Sequence, residues 1–232
     1  MIEIKKLSKN FGDQKVVHNV NLTLPKGKIF GFLGQNGAGK TTVMKMVVGV
    51  LKPDSGSIFI DKQNINEKEI KEIIGYMPED PYFYDHLSAL EFMRFVQDLF
   101  KRKSPLKIET ILSLTGLGNT GKKRIANFSK GMKQRLGLAQ ALVNNPEYLF
   151  LDEPLDGLDP IGRKEFKEII LNLKKQGKTI FFNSHILSDV EEICDQIGII
   201  DEGKLLYAGG VKAFRKNKSL EDAFVERITK LT

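Results

Sequence analysis

Cysteine is almost absent from this sequence, and its scarcity limits the chemistry open to the chain. Among 232 residues there is one cysteine, Cys194. A single thiol cannot form an intrachain disulfide framework or a multi-cysteine zinc site. We expect Cys194 to behave as a small buried apolar residue, which is the usual state of a free cysteine.

Long apolar runs are absent as well. No stretch of about 18 apolar residues occurs, and Lys45 interrupts the apolar segment that ends at Leu51. We therefore expect no segment of this chain to span a bilayer on its own. The residues from Met1 to Ile4 alternate as a strand does, with no apolar signal segment behind them, so we expect no secretory signal and a cytoplasmic location.

Acidic residues are outnumbered by basic ones. The chain has 36 Lys and Arg against 29 Asp and Glu, a formal net charge of +7. Such an excess is compatible with nucleic acid, an anionic membrane surface or phosphorylated ligands as partners. Most of the excess is lysine, whereas base-specific recognition relies on arginine, so we expect no nucleic-acid partner. The remaining composition, 41% hydrophobic and 28% charged, is that of a globular protein.

The hydrophobic pattern predicts an α/β fold with a mostly parallel sheet flanked by helices. Apolar and polar residues alternate over the first two dozen positions, which predicts an antiparallel β subdomain at the N-terminus. From Glu147 onward, apolar strand segments alternate with helical segments, as in two-sided parallel sheets.

The middle and the end of the chain differ from this alternation. Residues from about 80 to 143 contain an aromatic loop followed by helical patterns, with a capping box at Ser88 and Glu91 and a second cap at Ser104-Pro105. We therefore expect a single domain over 1–232 that carries an inserted helical lobe at about 80–143. A basic, helical extension is predicted at about 211–232.

A glycine-rich loop lies between a predicted strand, Lys28 to Leu33, and a predicted helix from Lys40 to about Leu51. Its sequence, Gly-Gln-Asn-Gly-Ala-Gly-Lys-Thr at residues 34–41, matches the phosphate-binding loop pattern. Glycines let successive N–H groups converge on phosphate oxygens, and the helix N-terminus attracts the same anion. We expect Lys40 to bind the β- and γ-phosphates and Thr41 to bind Mg²⁺. The predicted nucleotide-binding residues here are Gly34, Asn36, Gly37, Ala38, Gly39, Lys40, Thr41 and Thr42.

Two carboxylates follow a second apolar strand. Tyr148 to Leu151 is continuously apolar, and Asp152 and Glu153 come directly after it. Open parallel sheets bind ligands at the carboxyl ends of their strands. Asp152 suits Mg²⁺, and Glu153 can polarise a water aimed at a γ-phosphate. An acidic strand end of this kind is common and by itself indicates little. It supports a nucleotide-binding site here because the chain also has a phosphate-binding loop.

Further motifs follow the order found in one protein family. Phe-Ser-Lys-Gly-Met-Lys-Gln-Arg at residues 128–135 resembles the signature segment of ATP-binding-cassette (ABC) proteins, although Lys130 and Met132 depart from the commonest Ser-Gly-Gly-Gln form. Leu-Asp-Gly-Leu-Asp at residues 155–159 resembles the D-loop of that family, and Asn-Ser-His, ending at His185, resembles its switch histidine segment. Over nearly its full length, the chain resembles the ATP-binding subunit of an ABC transporter.

The resemblance implies roles for individual residues. It implies that His185 contacts the γ-phosphate and that Phe11 stacks on adenine, although a core position for Phe11 fits the sequence equally well. Ser129 and Gly131, at a helix start, would bind the phosphate of an ATP held by another chain. Glu79 replaces the glutamine that usually contacts Mg²⁺ and the attacking water, and a carboxylate is also a hard oxygen ligand. The expected catalytic residues are Lys40, Glu153 and His185, and the expected metal ligands are Thr41, Glu79 and Asp152.

The resemblance also implies partners. A phosphate loop and a signature segment in one chain imply two cassette subunits, identical or related, arranged head to tail, with each ATP held by Lys40 of one and Ser129 of the other. Hydrolysis, by a water that Glu153 positions, would let them part.

Transport would require a separate integral-membrane permease, which would place the chain at the cytoplasmic face of the cell membrane. We expect the permease to dock on the aromatic residues of the helical lobe, unless these pack inside it. The residues predicted for this surface are Tyr82, Phe83, Tyr84 and Phe92.

Two other functions remain compatible with the sequence. One is a soluble ABC-type ATPase that moves no solute and acts in assembly or regulation; a neighbouring reading frame with several apolar spans would argue against it. The other is a nucleotide-binding regulator without turnover, which is disfavoured because Glu153 is intact. The Pro78-Glu79 and Ser-Lys-Gly-Met forms resemble the branch of the family that serves drug, antibiotic or lipid exporters.

Overall fold

The computed structural model describes residues 1–100 and 106–229, so the predicted cap at Ser104-Pro105 and the last residues of the C-terminal extension lie outside the described residues. The strands, in chain order, are β1 (Ile2–Phe11), β2 (Gln14–Leu24), β3 (Ile29–Leu33), β4 (Ser55–Ile60), β5 (Gln63–Asn64), β6 (Ile74–Met77), β7 (Tyr148–Asp152), β8 (Thr179–Ser184), β9 (Gln196–Asp201) and β10 (Lys204–Gly210). The helices are α1 (Lys40–Val47), α2 (Lys68–Glu72), α3 (Ala89–Asp98), α4 (Ile108–Leu114), α5 (Lys130–Leu142), α6 (Pro160–Lys175), α7 (Leu187–Ile193), α8 (Val211–Arg215) and α9 (Leu220–Thr229).

The chain divides into two compact units. The first comprises Met1–Ile70 and Thr179–Thr232, and the second comprises Lys71–Lys178. The fold is α/β, as the sequence predicts, with parallel strand pairs in both units. Among the described residues, no helix is both long enough and apolar enough to cross a bilayer.

An antiparallel sheet forms the N-terminal part of the first unit, in the strand order β2-β1-β4-β5. Its hydrophobic alternation is visible in β1, where Ile2, Ile4 and Leu7 are buried while Lys5 and Lys6 are exposed. One face of the sheet is therefore apolar, which is the usual arrangement for antiparallel sheets. The predicted N-terminal antiparallel subdomain is confirmed.

Parallel pairing dominates the other part of the first unit. β3 lies between β8 and β9 and runs parallel to both, while β10 returns antiparallel to β9. Every residue of β3 is buried, as expected for a parallel strand covered on both faces. Leu33 of β3 is in register with Ser184 of β8, so the segments that follow these two strands leave the same edge of the sheet.

Two local predictions for the first unit need correction. Helix α1 ends at Val47 rather than near Leu51, because Gly49 takes a left-handed conformation with φ 75° and terminates the helix early. Cys194 is only partly buried. Its Sγ lies against Gly31 of β3, 2.9 Å from where a Cβ at that glycine would stand, so it still packs as a small apolar group.

In the second unit, β6 and β7 form a parallel pair with Tyr76 opposite Phe150. Helix α5 crosses β6 so closely that a Cβ on Gly75 would stand 2.1 Å from the carbonyl oxygen of Ala141. Helices α3, α4 and α5 all lie within the segment predicted as a helical lobe, and α3 begins with the predicted capping box at Ser88.

The aromatic loop that precedes α3 is divided between core and surface. Phe83 and Phe92 are buried, with ring centroids 5.2 Å apart in an edge-on contact. Because both rings are buried, the prediction that these two residues form part of a docking surface is wrong, and the alternative that they pack inside the lobe holds for them. Tyr82 and Tyr84 are exposed, as that prediction requires.

Candidate nucleotide-binding site

The phosphate loop, residues 34–41, connects β3 to α1 and depends on its glycines. A Cβ on Gly34 would stand 2.3 Å from the carbonyl oxygen of Ile200, which is backbone and cannot move aside easily. Gly37 and Gly39 have φ values of 83° and 103°, in the left-handed region that favours glycine. The loop therefore takes a course that other residues do not readily adopt.

Lys40, the first residue of α1, folds back over this loop. Its ammonium group donates hydrogen bonds to the carbonyl oxygens of Gly34 at 2.8 Å and Gln35 at 3.3 Å. Asn36 and Gly37 at the loop tip are exposed, while Thr41 and Thr42 in the first turn of α1 are partly exposed. The structure thus places a cation, a curled backbone and a helix N-terminus together, a combination that suits a phosphate chain.

His185 is a further predicted site residue that belongs to the first unit. His185 follows β8 and is exposed, at the same sheet edge from which the phosphate loop leaves β3. The turn after it is held by Ser184, whose hydroxyl accepts a hydrogen bond from the backbone N–H of Ile186 at 3.0 Å.

Phe11 is the last residue of β1 and is 50% exposed. The ammonium nitrogen of Lys9 lies 5.6 Å from the centroid of the Phe11 ring. The alternative that Phe11 is a core residue is therefore wrong. An exposed aromatic face beside a cation remains compatible with the predicted stacking on a base.

The second unit carries the predicted acidic residues. Asp152, the last residue of β7, is fully buried, and Glu153 is 7% exposed. Glu153 has φ 47°, a left-handed conformation that costs a non-glycine residue about 1–3 kcal/mol. Such strain is concentrated at functional sites, so it supports a role for this carboxylate. Glu79, two residues beyond β6, is exposed.

Tyr76 on β6 is a candidate site residue that the sequence does not single out. Its hydroxyl oxygen is buried and has no hydrogen-bond partner among the described residues. Burial is the largest cause that raises the pKa of Tyr76, followed by the negative charges of Asp152 and Glu79. The negative charges of Asp152 and Glu79 thus both disfavour ionisation of the Tyr76 hydroxyl. The sequence signal was weak, because the position of Tyr76 in a short strand does not show which residues lie beside it.

The signature segment, residues 128–135, begins α5 in the second unit. Ser129 is the N-cap of this helix and is exposed, and its hydroxyl accepts a hydrogen bond from the backbone N–H of Met132 at 3.2 Å. Gly131 is partly exposed in the first turn. A surface cleft of about 440 Å³ lies between this segment and the D-loop, residues 155–159. The predicted serine and glycine thus lie at a helix N-terminus that borders an open cleft.

The succession of β3, phosphate loop and α1 in an α/β fold defines a P-loop NTPase. The family model described as ABC transporter matches residues 17–156, and the chain belongs to this family.

Curated relatives include proteins named for antibiotic transport. The chain is 42% identical to the lantibiotic transport ATP-binding protein SrtF of Streptococcus pyogenes, over 98% of this chain and 97% of that protein. It is 46% identical to the bacitracin transport ATP-binding protein BcrA of Bacillus licheniformis, over 89% and 68%. It is 47% identical to an uncharacterized ABC transporter ATP-binding protein of Nostoc, over 86% of this chain and 62% of the relative. The chain thus spans less than two thirds of that last relative.

Solved structures agree with this assignment. A structure described as the ATP binding subunit of an ABC transporter has a TM-score of 0.87 and 28% identity, covering 98% of this chain and 99% of the other. The structure of cbiO1 from Clostridium perfringens, part of the ABC transporter complex cbiONQ, has a TM-score of 0.82 and 27% identity, covering 99% and 96%.

Proposed function

We propose that this chain binds and hydrolyses ATP and thereby energises export through a separate membrane permease. The observation that carries the proposal is the phosphate loop, in which Gly34, Gly39 and Lys40 have the conformation and contacts described above. Membership of the ABC transporter family agrees with this chemistry.

Each unit carries residue types that suit part of a magnesium nucleotide. The curled backbone of residues 34–39 leaves N–H groups for phosphate oxygens, and Lys40 supplies a cation for the same group. Thr41 in the first unit, and Asp152 and Glu79 in the second, carry the hard oxygen donors that Mg²⁺ prefers. When bound, Mg²⁺ would neutralise charge on the triphosphate. Phe11 would stack on the adenine ring.

In the hydrolytic step, water attacks the γ-phosphorus, the bond to the β-phosphate oxygen breaks, and ADP and phosphate are the products. Glu153 would orient this water through its carboxylate. His185 would donate a hydrogen bond to a γ-phosphate oxygen and so respond to the loss of that phosphate. We assign the catalytic roles to Lys40, Glu153 and His185 on this basis.

The functional assembly would contain two cassette subunits arranged head to tail. Ser129 and Gly131 face solvent at the start of α5, where an anion is favoured by the helix N-terminus. This arrangement lets the signature segment of one subunit bind the ATP held by the phosphate loop of the other. ATP would then join the subunits, and hydrolysis would release them.

The exported substrate and the permease are further parts of the proposal. SrtF and BcrA, named for lantibiotic and bacitracin transport, favour a peptide antibiotic as the substrate and transport over a soluble assembly role. The permease would dock on an aromatic patch, which we define as Tyr82, Tyr84 and Phe95. Tyr82 is 83% exposed, and the ring of Tyr84 has edge-on contacts with Tyr82 and Phe95, with centroids 6.0 and 5.6 Å away. Docking would place the chain at the cytoplasmic face of the membrane.

Calorimetric titration with Mg-ATP tests the nucleotide proposal. We expect Lys40→Ala to weaken ATP affinity at least about tenfold, because an ion-paired phosphate contact is lost. Lys45→Ala is the matched control, since Lys45 lies on the same helix and is exposed; it should bind ATP as the parent does. Glu153→Gln should retain affinity and lower the rate of phosphate release by about 100-fold or more. If the folded chain gives no heat with Mg-ATP, or if Lys40→Ala binds normally, the proposal is wrong.

A further inference from the structure

The end of β1 that carries Phe11 is held by Asp54, the residue that precedes β4. The register between β1 and β4 reaches Ser8, which lies opposite Ser55. Beyond that point Asp54 takes the place of the neighbouring strand. Its N–H donates a hydrogen bond to the carbonyl oxygen of Ser8 at 3.1 Å, and its carboxylate accepts one from the N–H of Asn10 at 2.6 Å. The last residues of β1 are therefore held by β2 along one edge and by Asp54 along the other.

Lys9 connects the same carboxylate to the ring of Phe11. Its ammonium nitrogen lies 2.7 Å from the other carboxylate oxygen of Asp54 and over the Phe11 ring, at the distance given above. A cation in this position is attracted to the face of an aromatic ring. Exposed ion pairs usually contribute little because two long side chains must be ordered. The Lys9 side chain is only 14% exposed, so packing already orders it.

The contacts of Asp54 favour its charged form. The hydrogen bond from Lys9, followed by that from the N–H of Asn10, holds the pKa of the Asp54 carboxyl below its ordinary value. Both donors favour an ionised acceptor, and hydrogen bonds to a charged group are the stronger ones. Asp54 therefore restrains the end of β1 through two charge-assisted hydrogen bonds at neutral pH.

Phe11 has an open position in which such restraint matters. It is half exposed, at the end of a strand, and the turn that follows begins with Gly12 at φ 56°. An exposed side chain loses rotamer freedom when a ligand orders it, and that loss weakens binding. A ring that is held before the nucleotide arrives avoids this loss.

We propose that Asp54 is a positioning residue for nucleotide binding, which holds Lys9 and the end of β1 so that the ring of Phe11 is preorganised to stack on the base. This inference rests on the stacking role of Phe11 proposed above. Asp54 acts here through Lys9 and Asn10, and no contact between Asp54 and the nucleotide is required.

Calorimetric titration with Mg-ATP in the hydrolysis-impaired Glu153→Gln background tests the proposal. Phe11→Ser should raise the dissociation constant about tenfold, because one base–aromatic stack is lost. Asp54→Ala should raise it about fivefold, because the ring is then ordered only on binding. When Asp54→Ala is added to Phe11→Ser, the dissociation constant should change by less than about 1.5-fold, since no ring remains to be positioned.

A tryptophan reporter measures the restraint itself. The sequence contains no tryptophan, so Phe11→Trp supplies a single indole emission. Adding Asp54→Ala should lower the anisotropy of this emission by at least about a fifth, because a released side chain moves within nanoseconds. Asp54→Asn keeps an oxygen for the N–H of Asn10 and loses the ion pair with Lys9. It should lower the anisotropy less, and it replaces Asp54→Ala if that variant does not fold.

A second ion pair on β1 provides a matched control. The ammonium nitrogen of Lys5 lies 2.9 Å from a carboxylate oxygen of Glu3 and 5.1 Å from the centroid of the Phe59 ring. Glu3→Ala therefore removes an acidic partner from a lysine that also lies over an aromatic ring, at the opposite end of the strand. It should change neither the ATP affinity nor the anisotropy of the reporter.

The outcomes separate this inference from the function beneath it. If Phe11→Ser binds Mg-ATP as the parent does, base stacking and this inference are both wrong, while the phosphate loop is still judged by Lys40→Ala. If Phe11→Ser binds weakly but the Asp54 variants keep the parent's affinity and anisotropy, the positioning role alone is overturned. An equal loss of affinity from Asp54→Ala with and without the Phe11 ring would show that Asp54 supports the site as a whole, and the inference would fail.

Discussion

At the scale of single residues, backbone geometry decides which positions of the phosphate loop accept substitution. Gly34 leads out of β3, and the carbonyl oxygen that a Cβ would strike belongs to Ile200 of the neighbouring strand β9. A glycine here is required by close approach of two backbones. At Gly37, by contrast, no atom of the described residues beyond its chain neighbours lies within 4 Å of an added Cβ, and the left-handed φ of 83° is what disfavours a side chain.

We therefore predict that Gly34→Ala lowers the free energy of unfolding by about 2 kcal/mol or more, the range for overpacking against groups that cannot relax. Gly210→Ala is the control, because within the described part of the chain an added Cβ would meet the Cβ of Ala213 alone, at an ordinary contact distance of 3.9 Å. It should change stability by less than about 0.5 kcal/mol. Urea denaturation of the two variants and the parent checks this. If Gly34→Ala is as stable as the parent, the prediction is wrong, and the backbone after β3 can move away from Ile200 of β9 at little cost.

At the scale of elements, the start of α3 shows how a local pattern becomes a structure. Ser88 and Glu91 form the capping box that their spacing predicts. The Glu91 carboxylate accepts hydrogen bonds from the N–H and the hydroxyl of Ser88 at 2.8 and 2.7 Å, and the Ser88 hydroxyl accepts one from the N–H of Glu91 at 3.3 Å. These bonds satisfy N–H groups that lack a partner within the helix. The side-chain bond from Ser88, and then the backbone bond, hold the pKa of Glu91 below its ordinary value.

This pKa shift makes a prediction for pH. Because the pKa of Glu91 is lower in the folded than in the unfolded chain, its contribution is fully present above the unfolded value of about 4.3 and is lost as pH falls through the folded value. Glu91→Gln should thus be less stable than the parent from about pH 5 to 7, and the difference should narrow below about pH 4. Urea denaturation across this range measures it. Glu109→Gln, at the start of α4 where no side chain caps the helix, should show a smaller difference from about pH 5 to 7.

At the scale of the whole molecule, the proposed coupling of ATP hydrolysis to transport requires a surface that contacts the permease. The aromatic patch in the second unit has two tyrosines and Phe95 exposed together, whereas Phe83 of the preceding loop is buried. Monomeric surfaces rarely carry clustered aromatics, and such clusters mark contacts with partners.

We predict that Tyr82→Ser with Tyr84→Ser reduces recovery of the permease with this chain at least about tenfold, because two aromatic anchors are removed from the interface. The measurement is co-purification from detergent-solubilised membranes of cells that produce both proteins. Val50→Ser, which alters a 68% exposed apolar residue in the first unit, is the control and should recover the permease fully. ATP affinity should be the same in the parent, the double tyrosine variant and Val50→Ser. Full recovery with both tyrosines replaced would place the docking surface elsewhere.

Local patterns along the chain were sufficient for most elements and for the local conformation of the candidate site segments. The phosphate loop, the acidic end of β7 and the N-cap at Ser129 each depend on residues within a few positions of one another, so spacing alone predicts them. The end of α1 was misplaced because both Gly49 and Pro53 are able to stop a helix, and the sequence does not rank them.

Other properties depend on residues that are far apart in the chain. The ion pair between Lys130 and Asp156 spans 26 positions, and Tyr76 lies near Asp152 only because β6 and β7 pair in parallel. The division of the aromatic loop into buried Phe83 and exposed Tyr82 likewise follows from where α3 packs. Composition and spacing decided that this chain would form an α/β fold with a phosphate loop. Long-range packing decided which charges and rings meet, because those distances are set by strand register and helix contact rather than by neighbours in sequence.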